Sequence, residues 1–198
     1  MLLPCYQNHL IEAGCDEAGR GCLAGPVVAA AVVLGPGFDN SEIDDSKKLG
    51  PAKRNKLRYH IESNCLSWAV GFVDNKTIDH INILKASFMA MHQAIEKLEV
   101  TPEVLLIDGN RFDPYLDMIH HCIVGGDGKY LAIAAASILA KTHRDEFMEK
   151  QAHNYPGYGW ESNKGYPTRF HREAIRGIGI TPLHRKTFRL LPDQRTFL

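Results

Sequence analysis

Val27-Val28-Ala29-Ala30-Ala31-Val32-Val33-Leu34 runs eight residues without a polar side chain. A Val-rich run of that length is a strand buried on both faces, so the sheet containing it needs a layer on each side. Gly35-Pro36-Gly37 stops it. Leu10–Cys15 reads as a strand ending at Asp16, and Leu66–Val73 as a third strand. Val104-Leu105-Leu106-Ile107 is a buried strand ending at Asp108-Gly109, and Cys122-Ile123-Val124 a short one ending at Gly125-Gly126-Asp127. Helices are expected over Ala52–Ser63, over Ile78–Leu98, where Leu84, Phe88, Met91, Ile95 and Leu98 recur at helical spacing, and over the Ala-rich Leu131–Gln151. Short links let the first three strands run antiparallel, whereas the later ones need crossovers and can be parallel. The expectation is an α/β fold, a mixed five-stranded sheet covered by helices. After an irregular stretch over 154–168, Thr168–Gly177 and Pro182–Leu190 look helical and basic, a C-terminal helical lobe. At 198 residues the whole chain, 1–198, is expected to be one domain.

Three of these strands end in acid. Asp16-Glu17, Asp108 and Asp127 would converge if the strand ends lie at one edge of the sheet. Four carboxylates so placed repel one another unless cations neutralise them, and magnesium or manganese is the hard, oxygen-seeking choice. Taken singly, Asp108-Gly109 and Asp127-Gly128 also read as plain turns, while the adjacent pair Asp16-Glu17 is harder to reduce to one. Gly19-Arg20-Gly21 follows directly, a cationic turn whose N–H groups and guanidinium suit phosphate and sugar. Gly125-Gly126-Asp127-Gly128-Lys129 has the look of a phosphate loop but fails its spacing: Ile123 stands at the first glycine position and Tyr130 follows the lysine. No Gly-x-Ser-x-Gly elbow or His-Glu-x-x-His helix is present.

Net charge is zero but unevenly spread: residues 1–140 hold 12 basic and 17 acidic side chains, and residues 141–198 hold 11 basic and 6 acidic. That layout suits an acidic metal site beside a basic track for a polyanion, and equally a solvated basic helical face. Five cysteines without Cys-x-x-Cys spacing read as free thiols in a reducing compartment. With no signal-peptide pattern and no apolar run long enough to span a bilayer, a cytoplasmic protein is expected, without membrane contact.

Taken together, the motifs resemble the type 2 ribonucleases H, the bacterial ribonuclease HII family in particular. The resemblance runs from Ile11 to about Phe188. Its pieces are Asp16–Gly21 with Gly25–Val28, Asp45-Ser46-Lys47-Lys48-Leu49, Asp108-Gly109-Asn110, Gly126-Asp127, Ala134–Lys141, Arg144-Asp145, Tyr158-Gly159-Trp160, Lys164–Thr168, His171 and His184-Arg185. The sister type carries an extra N-terminal domain and usually lacks the arginine of the glycine turn; here Arg20 is present and fifteen residues precede Asp16. The resemblance implies a ribonuclease H-like fold. It further implies an endoribonuclease that cleaves the RNA strand of RNA–DNA hybrids and nicks 5′ of ribonucleotides embedded in duplex DNA, by metal-activated water, with magnesium or manganese and two ions during catalysis. By the same resemblance, Asp16, Glu17, Asp108 and Asp127 match the metal-binding carboxylates, Gly19, Arg20 and Gly21 the turn that contacts the ribonucleotide 2′-OH, and Tyr166 the tyrosine packed on the sugar just past it. Relatives often have Lys-Gly-Asp where this chain has Gly125-Gly126-Asp127.

Lys47, Lys48 and Ser137 are candidate phosphate contacts; a solvated lysine pair and a helix hydroxyl are their ordinary readings. His171 and His184 read as structural, hydrogen-bonded histidines. The protein is expected to be a monomer. The last residues, Gln194–Leu198, are a possible replication-clamp contact or a frayed terminus. A catalytically inactive nucleic-acid-binding module on the same fold is the other functional reading, which retention of all four acids disfavours.

Overall fold

A computed structural model describes residues 2–38, 43 and 50–192. Lys47 and Lys48, with the whole of their motif, lie outside the described residues, as does Gln194–Leu198. The five strands are β1 (Glu12–Ala18), β2 (Val27–Val33), β3 (Ser67–Val73), β4 (Val104–Asp108) and β5 (Ile119–Ile123). They form one sheet in the order β3-β2-β1-β4-β5. β1, β2 and β3 are antiparallel neighbours, and β4 and β5 extend the sheet in parallel from β1. The mixed sheet expected from link lengths is thus the one observed.

Both faces are covered, as the β2 run requires. On one face Ala13, Cys15, Ala29 and Ala31 pack against α3 (Ile83–Glu96) through Ala90, Met91, Ala94 and Ile95. On the other, Ala30 and Val32 meet α1 (Pro51–Asn64) and α4 (Leu131–Asn154) through Leu57, Ile61 and the alanines of α4. The approach of α4 to β1 is very close. A Cβ on Gly14 would fall 2.2 Å from the Ala132 carbonyl carbon, so that strand position must be glycine. Asp16 shares the strand parity of Gly14 and so faces α4.

Four sequence expectations are corrected. β1 extends to Ala18, so Asp16 and Glu17 lie within it, paired with Ala30 and Ala29. The helix expected over Ile78–Leu98 is two, α2 (Asn75–Ile81) and α3, broken at Asn82 with φ 69°. Asn82 tolerates that backbone and its side chain accepts from the N–H groups of Leu84 and Lys85, capping α3. The stretch 154–168 contains a one-turn helix, α5 (Trp160–Asn163), ahead of α6 (Arg169–Ile178). Finally, Pro182–Leu190 is not helical. Its backbone bonds to the loop after β1: Gly25 N–H donates to Leu183 O at 2.9 Å and Arg185 N–H to Leu23 O at 2.8 Å. The C-terminal lobe is therefore α5, α6 and a strap of turns closing over residues 20–26. All five cysteines are free. Among the described residues no helix is long and apolar enough to cross a membrane.

Candidate active site

The site is built where β1 and β4 end beside α4. Asp16 and Glu17 come from the C-terminal end of strand β1, and Asp108 from the end of the parallel neighbour β4. A pocket of about 340 Å³ is lined by these three acids, by Gly19, Arg20 and Gly21, and by Ser137, Lys141, Arg54 and Tyr166. A larger groove, about 680 Å³, runs from it between α1 and the α4–α5 corner, sharing Arg54, Lys141 and Tyr166. Several charges in that groove are already paired: Arg58 with Glu146, Lys141 with Asp145, Lys164 with Glu149. The smaller pocket sets its three acids against Arg20, Arg54 and Lys141.

Burial first, then the neighbouring Glu17 and Asp108 charges, hold the Asp16 carboxyl well above the usual carboxylate range. The Ser137 hydroxyl and the Glu17 N–H partly offset this by hydrogen-bonding to it. Glu17 is also raised, chiefly by burial and further by Asp108, against the pull of Arg20, whose Nη1 is 3.0 Å from Glu17 Oε1. Asp108 Oδ1 accepts from Gly126 N–H at 2.7 Å, tying β4 to the 3-10 turn Gly126–Gly128 that carries Asp127. Asp127 is buried there, on the turn beside Asp108 and outside the lining of the pocket. Among the described residues no three His, Cys, Asp or Glu side chains are drawn into a closed ligand cage. Glu17 turns to Arg20, and Asp108 to a backbone amide. The donor set, clustered carboxylates with no sulfur or imidazole among them, fits a hard divalent cation.

The glycine turn is rigidly backed. Gly19 has φ +95°, and a Cβ there would sit 2.0 Å from Arg144 Nε. Ser137, Lys141, Arg144 and Met148 recur at helical spacing on α4 and form one stripe, from Asp16 past Tyr166 to the turn. Tyr166 closes the pocket on the far side. It hydrogen-bonds with the Cys22 side chain, and Lys141 Nζ lies 5.2 Å from its ring centre. Ser137, a candidate phosphate contact, lines the pocket wall and hydrogen-bonds to Asp16. His171 and His184 are buried and hydrogen-bonded away from the acids. Arg54, Cys22, Lys141, Arg144 and Arg185 are the residues around the site to which sequence reasoning assigned no role.

The ribonuclease HII family model matches residues 13–191. The chain belongs to the ribonuclease HII family. The ribonuclease HII of Parabacteroides distasonis is 64% identical over 196 residues, covering 99% of this chain and 98% of its own. Among solved structures, the ribonuclease H2 of Pyrococcus horikoshii superposes with a TM-score of 0.75 at 27% identity, covering 90% of this chain and 94% of that one. The ribonuclease HII of Archaeoglobus fulgidus, solved in complex with PCNA, gives 0.73 at 26% identity, covering 94% and 98%. In ribonuclease HII terms, the pocket holding Asp16, Glu17 and Asp108 is the candidate active site.

Proposed function

We propose that this chain, a single catalytic domain, is a divalent-metal-dependent endoribonuclease. Its substrates are RNA–DNA hybrids and duplex DNA bearing single ribonucleotides, which it nicks on the 5′ side of the ribonucleotide. One observation carries the reading: three mutually repelling carboxylates share a pocket with the Gly19-Arg20-Gly21 turn and Tyr166.

The division of labour follows from chemistry. Asp16, Glu17 and Asp108 would hold magnesium or manganese, two ions during catalysis, with Asp127, buried on the turn beside Asp108, as the fourth carboxylate. When bound, the cations supply Lewis-acid charge to the phosphodiester and make water a stronger nucleophile. Ser137 orients Asp16 through its hydroxyl. Gly19, Arg20 and Gly21 present main-chain groups to the 2′-OH, which separates RNA from DNA at a backbone position and both donates and accepts. The Tyr166 ring supports the sugar on the 3′ side of the cut. Lys47 and Lys48 are proposed phosphate contacts on the strength of their motif. A clamp contact through Gln194–Leu198 is proposed by analogy with the PCNA complex of the archaeal relative, and the protein is taken to act as a monomer in the cytoplasm. A binding-only module would have no use for three carboxylates held together at an electrostatic cost.

The test is nicking of a labelled duplex carrying one ribonucleotide, with magnesium, with manganese and after chelation. Metal-dependent nicking is expected; cleavage persisting after exhaustive chelation, or none with either metal, overturns the reading.

A further inference from the structure

Two guanidiniums lie wholly inside the protein behind the glycine turn: Arg144 from α4 and Arg185 from the C-terminal strap are both 0% exposed. Arg144 donates from Nε to Pro26 O at 3.0 Å, from Nη1 to Lys164 O at 2.9 Å and from Nη2 to Ala24 O at 3.1 Å. Arg185 donates from Nε to Gly25 O at 3.0 Å, from Nη1 to Arg20 O at 2.9 Å and from Nη2 to Pro26 O at 3.1 Å. Every acceptor is a main-chain carbonyl, and among the described residues neither arginine makes an ion pair. Asp79, an acid whose charge Arg185 feels, is bonded instead to the N–H groups of Lys186 and Thr187 and to the Thr187 hydroxyl.

Burying one cation without a counter-ion is costly, and burying two side by side is more so. Burial first and the Arg144 charge second push the Arg185 guanidinium down to about 10, so it keeps its charge at neutral pH against the repulsion of its neighbour. Apolar side chains would leave these carbonyls without donors, and each planar fork serves three of them at once.

The placement of these bonds shows what they hold. Five of the six bonds go to residues 20–26, and the sixth to Lys164, two residues before Tyr166. The Arg144 guanidinium carbon also lies 5.7 Å from the Tyr166 ring centre. We propose that Arg144 and Arg185 are positioning residues: they lock the glycine turn and the Tyr166 loop into one frame and hold positive charge behind the place where the phosphodiester meets the three acids. The inference deepens the nuclease reading and rests on it.

Arg144→Lys and Arg185→Lys keep the charge and lose the planar fork. Arg185→Gln loses the charge as well. Each full-length variant is assayed on the one-ribonucleotide duplex and an all-DNA control, with kcat and KM corrected for the folded fraction. Arg185→Lys is expected to lower kcat roughly tenfold or more with KM within about threefold, because the reacting groups are misplaced rather than unbound. Arg185→Gln is expected to raise KM in addition. Loss of stability alone, with normal kcat per folded molecule and a normal preference for the ribonucleotide, overturns the proposal. Should Arg144→Lys fail to fold, Arg185→Lys decides. A second measurement needs no activity: amide hydrogen exchange in the metal-free protein. Faster exchange over residues 19–26 in Arg185→Lys, with α4 and the sheet unchanged, supports the frame, and unchanged exchange there overturns it. If the wild-type enzyme does not nick at all, the nuclease reading fails while the exchange measurement still decides whether the arginines hold the turn.

Discussion

Nε2 of His184 lies 3.2 Å from Nε2 of His171, and both rings are fully buried. The surrounding donors fix their tautomers. The Trp160 indole N–H donates to His171 Nε2 at 3.0 Å, so that nitrogen is unprotonated, and His171 Nδ1–H donates to Tyr166 O at 2.9 Å. Thr181 N–H donates to His184 Nδ1 at 2.9 Å, leaving the proton on His184 Nε2, which shares the single Nε2 lone pair of His171 with the Trp160 N–H. The pair is a neutral relay ending on the backbone of Tyr166.

Acid is therefore expected to loosen the C-terminal lobe. Burial first and the His171 ring second push His184 down to about 4, and His171 is lowered as well, mainly by burial. Below an unfolded-state pKa of about 6.5 the unfolded chain takes up protons that the folded one refuses, so stability falls as pH drops from there toward 4. The raised Asp16 and Glu17 act in the opposite sense, which makes Asp16→Asn the cleaner background for the measurement. Its melting temperature is expected to be roughly several degrees lower at pH 5 than at pH 7. His143, lowered mainly by burial, acts in the same sense, so the profile is compared with that of a His184→Gln variant, and an unchanged slope there would overturn the expectation.

Asp16→Asn is expected to separate stability from function. Ionising Asp16 is opposed by burial, Glu17 and Asp108, so at neutral pH without metal the folded state carries a strain that an amide relieves. The variant should melt higher than wild type in chelator. It should also gain less on adding magnesium, because ligand binding stabilises only the state that binds. Nicking should fall about a thousandfold, which is about 4 kcal/mol of transition-state stabilisation. Normal turnover at saturating magnesium would remove Asp16 from the metal site.

The two outer glycines of the turn are expected to fail differently. Gly19→Ala meets Arg144 and a φ of +95°, and should cost about 1–3 kcal/mol of stability. Around Gly21 a Cβ meets nothing within 4 Å. Gly21→Ala should therefore melt within about 1 kcal/mol of wild type. It should still slow nicking at least tenfold if the ribose approaches the backbone there. Urea melts beside nicking rates check both, and a fully active Gly21→Ala would take Gly21 out of the substrate contact.

Much of the site was legible because its residues carry local signatures. Asp16-Glu17 sits between an apolar run and a glycine turn, Asp108 closes a run of four apolar residues, and β2 is so uniformly apolar that its two covering layers follow from it. What stayed hidden depends on backbone partners. The apolar spacing from Leu84 to Leu98 is real, but extending the helix back to Ile78 runs through Asn82, whose cap is visible only once its side chain is placed. Pro182–Leu190 has the composition of a helix, yet its N–H and C=O groups pair with residues 23–25. Arg144 and Arg185 bond only to carbonyls, which leave no mark in side-chain identity. Ser137 lies on the pocket side of α4, but nothing in its type distinguishes an acid's partner from a phosphate's.

The position of the cut and its end groups test the division between recognition and chemistry. If water is the nucleophile, the 2′-OH does not attack and remains available to be read by Gly19, Arg20 and Gly21. Water adding at phosphorus on the 5′ side of the ribonucleotide expels the upstream 3′ oxygen. The products are then a 3′-hydroxyl on the upstream DNA and a 5′-phosphate on the ribonucleotide. Attack by the 2′-OH would instead leave a cyclic phosphate on the ribonucleotide's 3′ side. Tyr166 is 37% exposed at the pocket edge, its backbone held by His171 and its ring beside Lys141 and Arg144, so its open face is available to a sugar. Tyr166→Ala is expected to slow nicking of the one-ribonucleotide duplex roughly tenfold to a hundredfold by letting the junction sugar shift against the acids. Tyr166→Phe keeps the ring and should lose far less. End-group analysis decides the mechanism: a 2′,3′-cyclic phosphate would exclude water as the nucleophile, and equal nicking of the all-DNA control would exclude the 2′-OH as the feature that is read.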